Sequence, residues 1–289
     1  MKKFLFLILS TFIFTASSAN EVLDNLSTKV SEFAAGLIPG EGLTEVNIEL
    51  KESQEPDFTI LGVRDINKTK NSNFFTQFSF HNNDVGGDER YIGNLGFGYR
   101  FLTDDKSLML GVNSFYDKEL GNNRHARGSV GLEARGSVLE LNLNYYHPFS
   151  GMDTISGNEE QVLGGIDYNL SSQIPYMPWA KIGWTGYEHD RDKATVNTKG
   201  DIYSLEMAVN PSMQLDIAID ESNHSDGNSD SAKISFIYPP REKITTMADG
   251  LISDEIWKKE SMEGKLSEKV KRNNNLVIEI QGSVIITSK

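Results

Sequence analysis

The sequence predicts an all-β fold, a closed antiparallel transmembrane β-barrel of about twelve strands in a bacterial outer membrane. Three observations carry this. A side-chain alternation of period two persists for nearly the whole stretch from Thr44 to Tyr238. The polar face of that alternation holds ionic residues at mid-strand. The connections between strands alternate between long and short.

The N-terminus sets the compartment. Lys2 and Lys3 precede an apolar run from Phe4 to Phe14, and Ser17-Ser18-Ala19 supplies small residues before Asn20, so residues 1–19 read as a secretory signal peptide. The apolar run is shorter than the roughly 20 residues a spanning helix needs. No later run approaches that length, which leaves an exported soluble protein or a strand-built membrane protein. The net charge of −13 argues against nucleic acid as a partner, and the absence of cysteine excludes disulfides and thiolate zinc sites.

Residues 20–43 form a periplasmic segment. Val22, Leu26, Val30, Phe33 and Leu37 recur at helical spacing over 21–38, and Pro39-Gly40 ends the pattern. The barrel occupies residues 44–238. Its strands are centred on Val46–Leu50, Phe58–Val63, Phe74–Phe80, Tyr91–Phe101, Leu108–Tyr116, Val130–Ala134, Leu139–Tyr145, Val162–Leu170, Ala180–Trp184, Tyr203–Val209, Leu215–Ile219 and Ile234–Tyr238. With the N-terminus in the periplasm, the outer loops are 52–56, 81–90, 118–124, 148–160, 190–198 and 222–229; among the tighter inner turns 65–71 is the longest.

A soluble sandwich also alternates, but its inner face is a packed core. Here the polar face carries Arg100, Arg127, Glu133, Arg135, Glu140, Lys181 and Glu206, which suit a wet lumen; an Arg or Lys facing lipid at the midplane would cost about 2–4 kcal/mol. Aromatics near strand ends, among them Tyr91, Phe101, Phe115, Tyr116, Tyr145, Tyr146, Trp179, Tyr187 and Tyr203, read as interfacial girdles. An open edge is not tolerated in hydrocarbon, so the strand near Thr44–Lys51 must pair with that near Ala232–Tyr238. The last strand closes on Phe236-Ile237-Tyr238, similar to the assembly signal of outer-membrane barrels.

Pro239-Pro240 stops the sheet, and residues 239–289 form a linker. Ser253 is a candidate N-cap. Met262, Leu266 and Val270 recur every fourth residue, and Asn273-Asn274-Asn275 ends the pattern, predicting a helix over about 253–272. Twelve strands enclose more room than inward side chains fill, so this helix is expected to plug the lumen, with Glu255, Lys259, Met262, Leu266, Val270 and Arg272 as its contact residues. Residues 276–286 return to a β-like apolar run.

The stretches Tyr91–Arg100, Leu108–Asp117, Gly131–Ala134, Leu143–Pro148 and Arg272–Glu279 together resemble the intimin/invasin family, the inverse autotransporters. The resemblance covers roughly residues 30–280. It implies an outer-membrane translocator of twelve strands whose tail runs back through the pore as a helix-containing linker. In the family that tail continues into adhesin domains, usually immunoglobulin-like. Only residues 276–289 follow Asn275 here, so a translocator without a passenger, exposing a short C-terminal peptide, is the expectation. The usual Glu-Tyr near the linker's end is Glu279-Ile280.

The implied partners are outer-membrane lipids, the barrel assembly machinery, periplasmic chaperones, and a host or neighbouring-cell surface. No enzyme is expected: His81, His125, His147, His189 and His224 fall near strand ends or loops and make no HExxH or GxSxG arrangement. No cofactor, catalytic residue or metal site is predicted. An adhesin acting through its outer loops and a small-solute channel with a movable plug stay open as alternatives.

Overall fold

The computed structural model describes residues 29, 36, 39–51, 55–85, 88–121, 125–191, 196–223, 229–242, 244–280 and 283–285. The signal-peptide reading lies outside them, as does the N-terminal helix save Lys29 and Gly36.

Twelve antiparallel strands close a barrel. They are β1 (Gly42–Lys51), β2 (Asp57–Lys68), β3 (Ser72–Val85), β4 (Asp88–Leu102), β5 (Leu108–Leu120), β6 (Ala126–Gly136), β7 (Leu139–Pro148), β10 (Gly165–Ile174), β11 (Met177–His189), β12 (Thr198–Asn210), β13 (Met213–Ser222) and β14 (Ser229–Tyr238). Closure joins β1 to β14 in the register Thr44↔Tyr238 and Ile48↔Ile234, so the barrel has no free edge. Neighbours in sequence are neighbours in the sheet throughout.

The alternation sorts side chains by face. Leu95, Phe97 and Tyr99 on β4, Val130 and Leu132 on β6, and Leu139, Leu141 and Leu143 on β7 are exposed on the outside. Their neighbours Asn94, Arg100, Ser129, Glu133, Glu140, Asn142 and Asn144 are buried within the barrel. Polar in and apolar out inverts the rule for soluble proteins and marks a hydrocarbon exterior.

Several strands run further than the sequence reading placed them. β2 reaches Lys68, which shortens the turn expected over 65–71 to Thr69–Asn71, and β3 and β4 extend to Val85 and from Asp88, which consumes most of the loop expected over 81–90. The pairing simply continues past the apolar stretch, from Phe80↔Gly93 to Val85↔Asp88, because backbone hydrogen bonds do not require apolar side chains.

The connection 148–160 is not a plain loop. It contains β8 (Asp153–Ile155) and β9 (Asn158–Val162), and β9 pairs with β15 (Ile278–Ile280) of the tail, which pairs in turn with β16 (Ser283–Ile285). This four-stranded sheet, in the order β16-β15-β9-β8, lies at the distal mouth of the barrel, opposite the proximal mouth where β1 begins and β14 ends.

The plug helix predicted over 253–272 does not form. Among the described residues the tail has only two 3-10 turns, Met247–Asp249 and Met262–Ser267. Glu255 and Lys259, two of its expected contact residues, are exposed near the proximal mouth. The physical reason is that other parts of the chain take up the backbone groups a helix would spend on itself: the β10–β11 hairpin holds Ser253 N–H and Ile256 O, and the barrel wall holds carbonyls from Leu266 to Asn274.

Candidate functional site: the tail in the lumen

The tail enters at the proximal mouth and leaves at the distal one. Met262 N–H donates to the carbonyl of Lys106 in the β4–β5 turn, at 2.9 Å. Ser261 caps the 3-10 turn by accepting from Glu263 N–H, and Lys106 pairs with Glu263. At the far end Leu163 N–H donates to Val277 O at 2.9 Å and Ile278 pairs with Val162.

Between these points the wall grips the backbone. The Arg100 guanidinium donates to the carbonyls of Leu266 and Glu268. Arg135 donates to Lys269 O at 3.0 Å, Asn144 to Lys271 O at 3.1 Å, Arg127 to Asn273 O at 2.8 Å, and Asn94 to Asn274 O at 3.0 Å. Gln77 Oε1 accepts from Val270 N–H and Tyr146 Oη from Asn273 N–H, both at 2.8 Å. A buried backbone must satisfy its polar groups; here side chains of β3 to β7 do what an intrahelical ladder would otherwise do. Extension also gains reach. At about 3.3 Å per residue, roughly ten extended residues cross a hydrocarbon core of about 30 Å that a helix spans with about twenty.

The charges that hold these donors form a fully buried network. Asp117 is its hub. It accepts from Arg127 Nε and Nη2 at 3.0 and 2.8 Å, from Arg272 of the tail at 3.0 and 2.6 Å, and from Asn94 at 2.8 Å. Glu133 binds Arg100 in bidentate fashion at 3.2 and 3.0 Å and Arg135 at 2.6 Å. Each of these carboxylates is shared by two guanidiniums, which fixes the arginines in place while their other N–H groups reach the tail's carbonyl oxygens; Glu268 of the tail adds a further counter-charge to Arg135 at 3.5 Å.

Aromatic rings floor the arginines. Arg100 lies 4.4 Å above the Phe75 ring, Arg127 4.2 Å above Tyr146, and Arg272 4.3 Å above Phe115. Phe115, Tyr146, Trp179 and Tyr187, read from sequence as girdle residues, are buried inside. The signal was present in the doublets Phe74-Phe75, Phe115-Tyr116 and Tyr145-Tyr146, since adjacent strand residues face opposite sides and one of each must point inward. Gly98 and Gly96 make room for two of these rings. A Cβ there would sit 2.3 Å from Phe75 and 2.3 Å from Phe115.

The four-residue periodicity of Met262, Leu266 and Val270 has a different meaning from the one expected. Met262 and Leu266 pack with Leu102 and Met109, whereas Val270 joins Leu43, Leu61, Val63, Phe75, Phe115 and Ile237. These are separate apolar seats on the wall.

On the opposite wall the contacts are looser. A cavity of about 280 Å³ runs beside the tail, lined among others by Glu45, Glu49, Lys181, Glu206, Asp216 and Lys233. Lys271 crosses it to reach Glu206 at 2.8 Å and Glu140 at 3.2 Å, Lys269 reaches Glu45, and Lys181 pairs with Glu140. The structure therefore brings Arg100, Arg127, Glu133 and Arg135 onto the gripping wall, and places Glu140, Lys181 and Glu206 around the cavity.

A rim cluster was not legible in the sequence. Arg90 binds Glu160 of β9 in bidentate fashion at 2.6 and 2.9 Å, and His125 Nδ1 lies 2.6 Å from Glu119. His81, His125 and His189, expected near strand ends or loops, are buried, with His81 well inside β3.

A family model described as inverse autotransporter, beta-domain, matches residues 15–274. The inverse autotransporter adhesin YeeJ of Escherichia coli K12 is 24% identical over 230 residues, covering 76% of this chain and 9% of that protein. The uncharacterized protein YchO of the same strain is 27% identical over 165 residues, covering 56% of this chain and 34% of that protein. The chain thus spans a small part of the one and about a third of the other. A membrane protein solved in a study of in-meso crystallization superposes with a TM-score of 0.66 at 17% identity, covering 82% of this chain and 99% of that one, which shows the shared fold.

Proposed function

This chain belongs to the inverse autotransporter β-domain family and is an outer-membrane β-barrel; we propose that it acts as a translocator which holds its own tail as a transmembrane linker. The observation that carries this reading is the grip on the tail's main chain. Contacts from Arg100, Arg135, Asn144, Arg127 and Asn94 to successive carbonyls depend little on tail sequence, so a chain can be drawn through and then seated. Arg272 on Asp117 fixes the register of the seated state.

In this reading the proximal mouth is periplasmic and the distal mouth extracellular. The β15–β16 hairpin then emerges on the outer side. The role is structural and transport-related rather than catalytic. Assembly machinery, periplasmic chaperones and outer-membrane lipids serve its insertion, and a host or neighbouring-cell surface meets the exported end.

An epitope tag after Lys289 tests the orientation. Antibody should label it on intact cells, alongside a boiling-dependent shift in gel mobility that reports the closed barrel. Labelling only after permeabilisation would overturn the proposal.

A further inference from the structure

Between Thr246 and Ser261 the tail takes a detour that threading does not require. It begins on the lumen side, where Trp179 Nε1 donates to Leu251 O at 2.9 Å, and returns there, where Lys258 N–H donates to Gln173 Oε1 at 2.9 Å. In between it climbs to the tip of the β10–β11 hairpin. Ser253 N–H donates to Tyr176 O at 2.8 Å, and Tyr176 N–H donates to Ile256 O at 3.0 Å. The base of the detour is fixed as well, because Asp249 accepts from both the amide and the hydroxyl of Thr246 at 2.8 Å. Those two bonds hold the Asp249 carboxyl below its ordinary range.

The detour carries its apolar residues on the surface. Ile252 is 79% exposed, Leu251 50%, Ile256 49% and Trp257 40%, and Tyr176 beside them is 45% exposed. This is a cluster of large apolar side chains on a short polar-backbone loop, in a chain whose lumen already offers apolar seats to Met262, Leu266 and Val270. Exposed apolar clusters of this kind mark a contact with something other than water.

The position of the hairpin indicates what that is. Leu139 and Ile182 are exposed apolar residues of the outer surface, and each is paired with Ser172 of β10. Tyr176 lies four residues beyond Ser172. At about 3.3 Å per residue and a strand tilt of about 40°, the tip lies roughly 10 Å beyond that level. The polar layer of a bilayer is about 5–8 Å thick on each side, so a tip about 10 Å beyond side chains seated just inside the hydrocarbon edge falls at headgroup level; Ile174 and Met177, below the tip, pack against the buried cluster that includes Met207 and Leu215. Trp and Tyr with flanking lysines are the side chains that settle at this depth, and Lys258 and Lys259 directly follow Trp257.

We propose that residues 251–257 form an interfacial anchor, seated among the phospholipid headgroups at the proximal mouth and clamped to the Tyr176 hairpin tip. The anchor pins the tail just before it enters the lumen and fixes where threading begins. It does not depend on which side of the membrane the proximal mouth faces, so it stands or falls apart from the translocator reading.

The chain has no cysteine, so single nitroxide labels report one position each. Ile252→Cys, Ile256→Cys and, as a reference on the β4–β5 turn of the same mouth, Asp104→Cys are labelled in the full chain. Each is reconstituted into vesicles of phosphatidylethanolamine and phosphatidylglycerol and checked for the heat-dependent gel shift. Collision with lipid-dissolved oxygen relative to a water-soluble nickel chelate should be several-fold higher at 252 and 256 than at 104. Equal nickel access at all three positions overturns the anchor. Exclusion of both reagents at 252 and 256 also overturns it, in favour of a protein covering the patch. Two label positions guard against one of them disturbing the loop.

Discussion

The two walls of the lumen treat the same tail differently. On β3 to β7 the partners of the tail are withdrawn from solvent, with the Asp117, Arg127 and Arg272 side chains all at 0% exposure. Across the cavity, the Lys269 and Lys271 side chains keep 26% and 20%. Both walls use ion pairs, yet the energetic consequences diverge. A buried charge that loses its partner has no water to replace it, whereas a charge bordering a cavity can be hydrated. One wall therefore fixes the tail, and the other supplies adjustable struts.

The largest effect should come from removing what the walls hold. Deleting residues 241–289 leaves every barrel strand intact and leaves Arg100 and Arg127 with Glu133 and Asp117. The truncated barrel should fold, show the heat-dependent gel shift, and conduct ions in planar bilayers several-fold better than the full chain. Equal conductance would mean that the tail does not limit the pore.

Asp117→Ala tests the gripping wall. Arg127 and Arg272 would remain buried with their shared counter-charge removed, so a loss of about 3–5 kcal/mol is expected, read as a fall in the denaturant midpoint of the gel shift. Tyr146→Phe keeps the ring beneath Arg127 but removes the acceptor of Asn273 N–H and the donor to Asp167. It should cost about 1–3 kcal/mol. Glu206→Gln on the cavity wall should cost no more than about 1 kcal/mol, because Lys271 keeps Glu140 at 3.2 Å. If Glu206→Gln proved as costly as Asp117→Ala, the contrast between the walls would be wrong.

Gly264→Ala is the smallest and separates two conformations. Were 253–272 a helix, alanine would stabilise it by about 1 kcal/mol. In the observed 3-10 turn an added Cβ meets only Glu242 O, at 3.6 Å, so the effect should stay within about 0.5 kcal/mol in the same denaturation assay.

The strand pattern alone determined the barrel. A period of two with leucine and phenylalanine on one face and Arg, Glu and Asn on the other is a local property, and it assigns Leu95 outward and Arg100 inward. Closure followed from the cost of an open edge in hydrocarbon. The conformation of the tail was different. Met262, Leu266 and Val270 fit a helical period, but helix or extended chain was decided by where the carbonyls of Leu266 to Asn274 found donors. Those donors, Arg100, Arg127, Arg135, Asn144 and Asn94, come from more than a hundred residues earlier in the chain. Local periodicity reports which faces a segment can bury. Only the assembled lumen, by offering its own hydrogen bonds to the backbone, made the extended chain the cheaper way across.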